Sequence, residues 1–254
     1  MQGTIEKLKK LTGCSFVKLL NSGDSAILCA LYVVKRRNIK LQVPDQGGWL
    51  TYQRFPNIFD LDVEEIKTDY GRIKQCSEAV LVCNPAGYFA EQDLKFIKKK
   101  SKLMILDASG SIGKETGDAD IVIGSFGEWK PVDLGTGGFF ATNNRDYYEI
   151  AKELFPALKF EGNHDLLLKK LNNLDNRYKL FDYYHWKIKD DLKHLDIIHR
   201  NRKGINVVVR YNNENEREEN IDYCNKHGYE YTQCPRYIRV LDSAISIEVK
   251  RKTE

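Results

Sequence analysis

The stretch Leu103-Met104-Ile105-Leu106-Asp107-Ala108-Ser109-Gly110-Ser111 decides the reading of this chain. Four apolar residues in a row, closed by small and polar ones, make a strand buried on both faces, as in the middle of a parallel sheet covered by helices. Asp107 then falls at the carboxyl end of that strand, where open α/β sheets bind their ligands. Taken alone, a carboxylate in that place serves equally as a loop cap or as a functional group.

Outward from this strand, helical and extended patterns alternate. Residues Asp24 to Arg37 space Ile27, Leu28, Leu31 and Val34 along one helical face. Runs at Lys40–Val43, Ala79–Cys83, Ile121–Ile123 and Gly138–Ala141 predict further strands, and Glu91 to Lys100 predicts a crossover helix. Past Asn143 the pattern predicts a helix at Asp146–Leu158 and a long charged helical stretch from Asp165 to about His199. A strand at Ile205–Val209, a helix at Asn215–His227, and strands at Tyr237–Leu241 and Ala244–Val249 around a turn at Asp242-Ser243 complete the chain. The expected class is α/β. A large domain (1–145), with a mostly parallel sheet sandwiched by helices, precedes a small C-terminal α+β domain (146–254), in which a long helix leads into a β-α-β-β unit.

Composition narrows the function. With 254 residues, 42% hydrophobic and 30% charged, the chain reads as globular rather than disordered. The 40 basic and 36 acidic residues are scattered, so the net charge of +4 leaves no electrostatic footprint for nucleic acid. The densest basic run, Lys98-Lys99-Lys100, reads as the solvated last turn of a helix. No run approaches the ~18 apolar residues of a membrane span, and Met1 to Thr12 reads as a short amphipathic helix rather than a leader. The six cysteines form no Cys-x-x-Cys pair and read as reduced core residues, so a cytoplasmic protein is expected, without membrane attachment. No metal is expected either, since even Cys224 and His227 read as one face of a helix.

Three places carry candidate chemistry. Ser22-Gly23-Asp24-Ser25 stands directly before the first long helix, whose unpaired amides suit a phosphate, although a plain N-cap by Ser22 or Asp24 explains the same residues. Lys130 closes Ser125-Phe126-Gly127-Glu128-Trp129-Lys130; in a dry pocket such an amine becomes a nucleophile toward aldehydes, and otherwise it is a solvated surface group. Asp107 is the third. A carboxylate for a pyridine nitrogen, a hydroxyl for a phosphate and an amine for an aldehyde are what a protein needs to hold pyridoxal phosphate.

These motifs resemble those of the fold-type-I pyridoxal-phosphate enzymes, and most closely the DegT/DnrJ/StrS-type aminotransferases. That family has a Ser five residues before the Schiff-base Lys and a Gly-Gly pair seven and eight residues after it, matched by Ser125, Lys130, Gly137 and Gly138. Its Asp-Ala-Ala motif, with a Gly six residues past the Asp, looks like Asp107-Ala108-Ser109 and Gly113, and its phosphate turn looks like Ser22-Gly23-Asp24-Ser25-Ala26. The resemblance covers roughly residues 20 to 142. It implies catalysis by Lys130 and Asp107 and cofactor binding by Gly23, Asp24, Ser25, Trp49, Asp107, Ser109, Ser125 and Lys130, with Trp49 stacked on the pyridine ring. Arg236 and Arg239 are the candidates for a substrate carboxylate.

The departures are Gly110, where the family has a Gln or His, Gly127, where a His is common, the place of Trp49 after Val43-Pro44, and a short C-terminal region. By resemblance the chain is an aminotransferase that moves an amino group from an amino acid donor to a keto sugar or other ketone, as a homodimer with its active site at the interface. A lyase or desulfurase-like enzyme of the same fold, and a shortened non-catalytic binding or regulatory subunit, are the alternatives. Trp129 stands where desulfurases have a His, which disfavours the first of these.

Overall fold

The computed structural model describes residues 2–236 and 239–253. Its centre is a seven-stranded sheet built from β1 (Phe16–Leu20), β2 (Leu41–Pro44), β3 (Val63–Ile66), β4 (Ala79–Cys83), β5 (Leu103–Asp107), β6 (Ile121–Ser125) and β7 (Gly138–Thr142), in the spatial order β1-β7-β6-β5-β4-β2-β3. Neighbours from β3 to β6 run parallel, while β7 runs antiparallel to both β6 and β1. The sheet is mostly parallel, as expected.

Side-chain alternation explains how the central strands become buried on both faces. Val80, Val82, Met104 and Leu106 point into one core, and Ala79, Leu81, Leu103 and Ile105 into the other. Past an N-terminal helix, α1 (Gln2–Thr12), helix α2 (Gly23–Arg36) covers the second face with Ile27, Leu31 and Val34, the spacing read from the sequence. The first face is covered by α3 (Leu94–Lys100), through Leu94 and Ile97, and by the later helices. Each fully buried aliphatic side chain contributes about 1.5 to 3 kcal/mol, so these two layers dominate the stability of the sheet.

After β7 come α4 (Arg145–Lys152), α5 (His164–Asn172), α6 (Leu174–Asp191) and α7 (Glu214–His227). They accompany a four-stranded antiparallel sheet of β8 (Asp196–Ile197), β9 (Val207–Arg210), β10 (Tyr231–Arg236) and β11 (Val240–Ile247), ordered β8-β9-β11-β10. The β-α-β-β unit is therefore present as β9-α7-β10-β11. Val207, Val209, Ile245 and Ile247 join the same core cluster as Val80 and Met104, so the two sheets share one apolar interior.

Several boundaries differ from the sequence reading. The stretch from Asp165 is two helices separated at Asn173, and the helix at 146–158 ends by Lys152, before a short 3-10 turn that carries Pro156. At the C-terminal end β11 runs straight through Asp242-Ser243, and the chain reverses earlier, where Arg239 N–H donates to Arg236 O at 2.9 Å. Part of the strand expected at Tyr237–Leu241 lies outside the described residues. The strand that pairs with β11 is Tyr231–Arg236, whose Pro235 is tolerated because β10 is an edge strand. No helix among the described residues is long and apolar enough to cross a membrane.

Candidate active site

Parallel pairing sets the strand ends β4, β5 and β6 side by side, with Cys83 opposite Asp107 and Asp107 opposite Ile123. A cavity of about 350 Å³ opens there, lined by the start of α2, the ends of β5 and β6, Trp49, Tyr88, Lys130 and residues of the four-stranded sheet. The volume falls within the range of small-molecule sites.

The start of α2 is the first wall. Ser22 is the N-cap, its Oγ accepting from Ser25 N–H at 3.1 Å, which leaves the first-turn amides of Gly23 and Asp24 without intrahelical acceptors. Glycine is required here for closeness. A Cβ on Gly23 would lie 2.6 Å from Ser125 Cβ, and one on Gly138 would lie 2.5 Å from Ser22 O and 2.6 Å from Gly124 O. The pair Gly137-Gly138 thus lets β7 run against the helix start, where Gly137 N–H donates to Asn21 O at 3.0 Å. Ser125 Oγ accepts from Gly127 N–H at 3.1 Å and remains at the cavity wall.

Asp107 is 5% exposed. Its Oδ2 accepts from Tyr52 Oη at 2.6 Å and its Oδ1 from Ser109 N–H at 2.9 Å, while Ser109 Oγ accepts from Ser125 N–H at 2.9 Å. Ser109 therefore ties the ends of β5 and β6 together and fixes the carboxylate. Burial, and next the charge of Asp107, push the Tyr52 phenol well above its ordinary range, so it stays a donor.

Lys130 reaches the same cavity from the turn after β6. Trp129 takes a left-handed backbone (φ 58°), uncommon for a bulky residue, with its N–H held by Asp133 Oδ2 at 2.8 Å. Lys130 Nζ donates to Tyr88 Oη at 2.6 Å and lies 5.6 Å from the centre of the Trp49 ring. Burial works against the ammonium, yet Tyr88 and Asp107 outweigh it and hold the amine above its ordinary value. Trp49 is steered by its indole N–H, which donates to Asp24 Oδ1 at 3.0 Å.

The cavity brings together Gly23, Asp24, Trp49, Asp107, Ser109, Ser125, Lys130, Arg236 and Arg239. Ser25 is the exception: it is buried behind the wall, with its hydroxyl donating to Asn21 Oδ1 at 2.5 Å and lying 2.9 Å from Ser22 Oγ. In its place Ser22 faces the cavity, because the N-cap residue, and not the third helical residue, points forward from a helix start. Sequence reasoning also missed Tyr88, Tyr52, Lys250 and Arg251. The glycine at 110 makes room for Tyr88 itself, since a Cβ there would lie 2.8 Å from Tyr88 Cδ1. Among the described residues no group of His, Cys, Asp and Glu could hold a metal ion.

Residues 172–253 match the model of the MJ1341 family C-terminal domain. Comparison with curated proteins gives no sequence match. Solved structures do resemble the chain. A 3-amino-5-hydroxybenzoic acid synthase superposes with a TM-score of 0.75 at 13% identity, over 98% of this chain and 85% of that one. An 8-amino-7-oxononanoate synthase from Francisella tularensis gives 0.73 at 13% identity, over 99% and 82%. A DegT/DnrJ/EryC1/StrS aminotransferase from Brucella abortus gives 0.72 at 13% identity, over 97% and 84%. On these superpositions, all at 13% identity, the chain has the fold of the fold-type-I pyridoxal-phosphate enzymes, shared with this DegT/DnrJ/EryC1/StrS aminotransferase.

Proposed function

We propose that the chain is a pyridoxal-phosphate-dependent aminotransferase with Lys130 as the amine that holds the cofactor. The observation that carries the reading is that Lys130, Asp107 and the glycine-lined start of α2 face one cavity at the carboxyl ends of parallel strands. The residues fit the group in kind as well as place. Ser22, Ser125 and the amides of Gly23 and Asp24 line the cavity and offer donors to a phosphate. Asp107 offers a carboxylate to a pyridine nitrogen, and Trp49 a flat face.

Bound there, pyridoxal phosphate supplies an aldehyde and a ring that withdraws electrons from a neighbouring carbanion. Lys130 Nζ would hold the group at its aldehyde and, as a free amine, would take and return a proton as a general base. Tyr88 Oη, in hydrogen-bond contact with Nζ, orients the amine and exchanges protons with it. Tyr52 and Ser109 keep the Asp107 carboxylate in one orientation, so its charge stays aimed into the cavity. An amino acid donor and a ketone acceptor are the substrates under this reading.

Mixing the protein with pyridoxal phosphate tests it. An absorption band near the visible edge is expected, absent in Lys130→Ala and altered when an amino donor is added. A band that ignores every amino donor would turn the reading toward a cofactor-binding subunit without turnover, and no band would remove the cofactor.

A further inference from the structure

Under that reading the cofactor's own charged groups are met by the seven-stranded sheet and α2. The facing wall comes from the four-stranded sheet, and it is cationic. Arg236 ends β10, Arg239 immediately precedes β11, Lys250 and Arg251 follow β11, and all four line the cavity.

Neutralisation of this wall within the chain is incomplete. Glu248, fully buried, contacts both Arg239 Nη1 and Lys250 Nζ and so meets two cations with one charge. Arg251 has Glu230 at 2.6 Å. Arg236, half-buried, has no carboxylate partner among the described residues; burial, and next the charge of Arg239, push its guanidinium down. Two further donors are orphaned: Nε of Arg239, in a residue only 5% exposed, and Nε of Arg251 are buried without a hydrogen-bond partner. Buried cations and donors left unpaired destabilise a fold, and a ligand that satisfies them offsets that cost.

We infer that this wall is a dianion subsite: the substrate that reaches Lys130 carries a doubly charged acidic group, a phosphate ester or a pair of carboxylates, held by Arg236, Arg239 and Arg251. This rests on the reading of Lys130 as the cofactor's amine. Arg236 contributes one uncompensated charge, and once Lys250 carries its proton in the bound state the shared Glu248 leaves a second, which matches two negative charges. Three guanidinium groups present planar pairs of N–H donors, the geometry that carboxylates and phosphates accept. Burial, and next Arg239, push the Lys250 amine down, and an anion in the cavity opposes both, so binding draws a proton onto it.

The test is calorimetric titration of protein preloaded with pyridoxal phosphate, which fills the start of α2, using phenyl phosphate, succinate and acetate as probes. At least one dianion is expected to bind about tenfold or more tightly than acetate, and Arg236→Gln to lose about tenfold or more of that affinity. The same variant keeps its Tm, because Arg236 has no carboxylate partner to lose. Stronger binding of phenyl phosphate assigns a phosphate ester, and stronger binding of succinate a dicarboxylate. Equal binding of all three probes, or unchanged dianion binding in both Arg236→Gln and Arg251→Gln, overturns the inference. Titration of Lys130→Ala with succinate separates the two readings. Succinate binding that survives there leaves the subsite standing even if no cofactor is ever taken up. Cofactor uptake by the unmutated chain with no binding of either dianion sinks the subsite alone.

Discussion

Gly138→Ala probes the link between fold and site most sharply. A Cβ at this position would lie 2.5 Å from Ser22 O, 2.6 Å from Gly124 O and 2.7 Å from Gly23 N, all backbone atoms. None of these can rotate aside, so β7 must move away from the start of α2 or the helix must shift. Over-packing of a core typically costs 1 to 3 kcal/mol, and three backbone clashes place this substitution near about 3 kcal/mol. For a chain of this size that corresponds to a fall in Tm of roughly 6 to 12 °C. Gly135→Ala is the control: its added Cβ meets open space, and only its left-handed backbone (φ 77°) is strained, at about 1 to 2 kcal/mol. Calorimetric melting gives the stability difference, and titration with inorganic phosphate reports on the displaced helix start. A Gly138→Ala protein that melts within about 2 °C of the parent and binds phosphate unchanged would refute the reasoning that these glycines exist to bring β7 against α2.

Three further outcomes follow from the geometry. Tyr88→Phe removes the largest influence that holds the Lys130 amine up, so labelling of Lys130 by an amine-reactive reagent, followed by mass spectrometry, should show its pH midpoint fall; an unmoved midpoint would deny Tyr88 any hold on the amine. Ser22→Ala should destabilise the chain by about 1 kcal/mol through the lost N-cap and weaken phosphate binding, whereas Ser25→Ala, behind the wall, should weaken it less. Burial, and next Lys189, lower the His185 imidazole from 6.5 to about 3, so it stays neutral in the fold. An unfolded chain takes up a proton there that the fold refuses, so stability is intact above pH 6.5 and falls as the pH drops toward 3. By about pH 4 the loss from this group is roughly 3 kcal/mol, and His185→Gln should flatten that part of the acid unfolding curve; parallel curves would contradict the assignment.

What the sequence revealed and what it hid divide along physical lines. Apolar runs such as Leu103–Leu106 and the helical spacing of Ile27, Leu31 and Val34 locate elements because burial on two faces or one stripe leaves a periodic trace. Asp107, Ser125 and Lys130 were legible because each follows a buried strand and so must emerge at its end. Tyr88 leaves no such trace. It sits in a loop with a left-handed backbone (φ 70°), and it reaches Lys130 through space across 42 positions of sequence. Lys250 and Arg251 lie in a short turn after β11, and only the packing of one sheet against the other turns them toward the cavity. Spacing points to Ser25 where the structure presents Ser22, because it identifies a helix start only to within a residue or two, while the direction of each hydroxyl depends on which residue caps it. The reversal before β11 was misplaced for a similar reason: Asp242-Ser243 has turn-forming residues, but it lies within a strand whose pairing to Val207–Arg210 is fixed by the buried Ala244, Ile245 and Ile247.

The central claim is that the Lys130 amine shares one cavity with Asp107 and bonds a cofactor aldehyde there. Borohydride reduction of the protein mixed with pyridoxal phosphate, followed by peptide mapping, tests it most directly. The account predicts one dominant pyridoxyl-lysine, at position 130. An adduct spread over solvent-facing lysines such as Lys67, whose side chain is 88% exposed, with Lys130 unmodified, would contradict it.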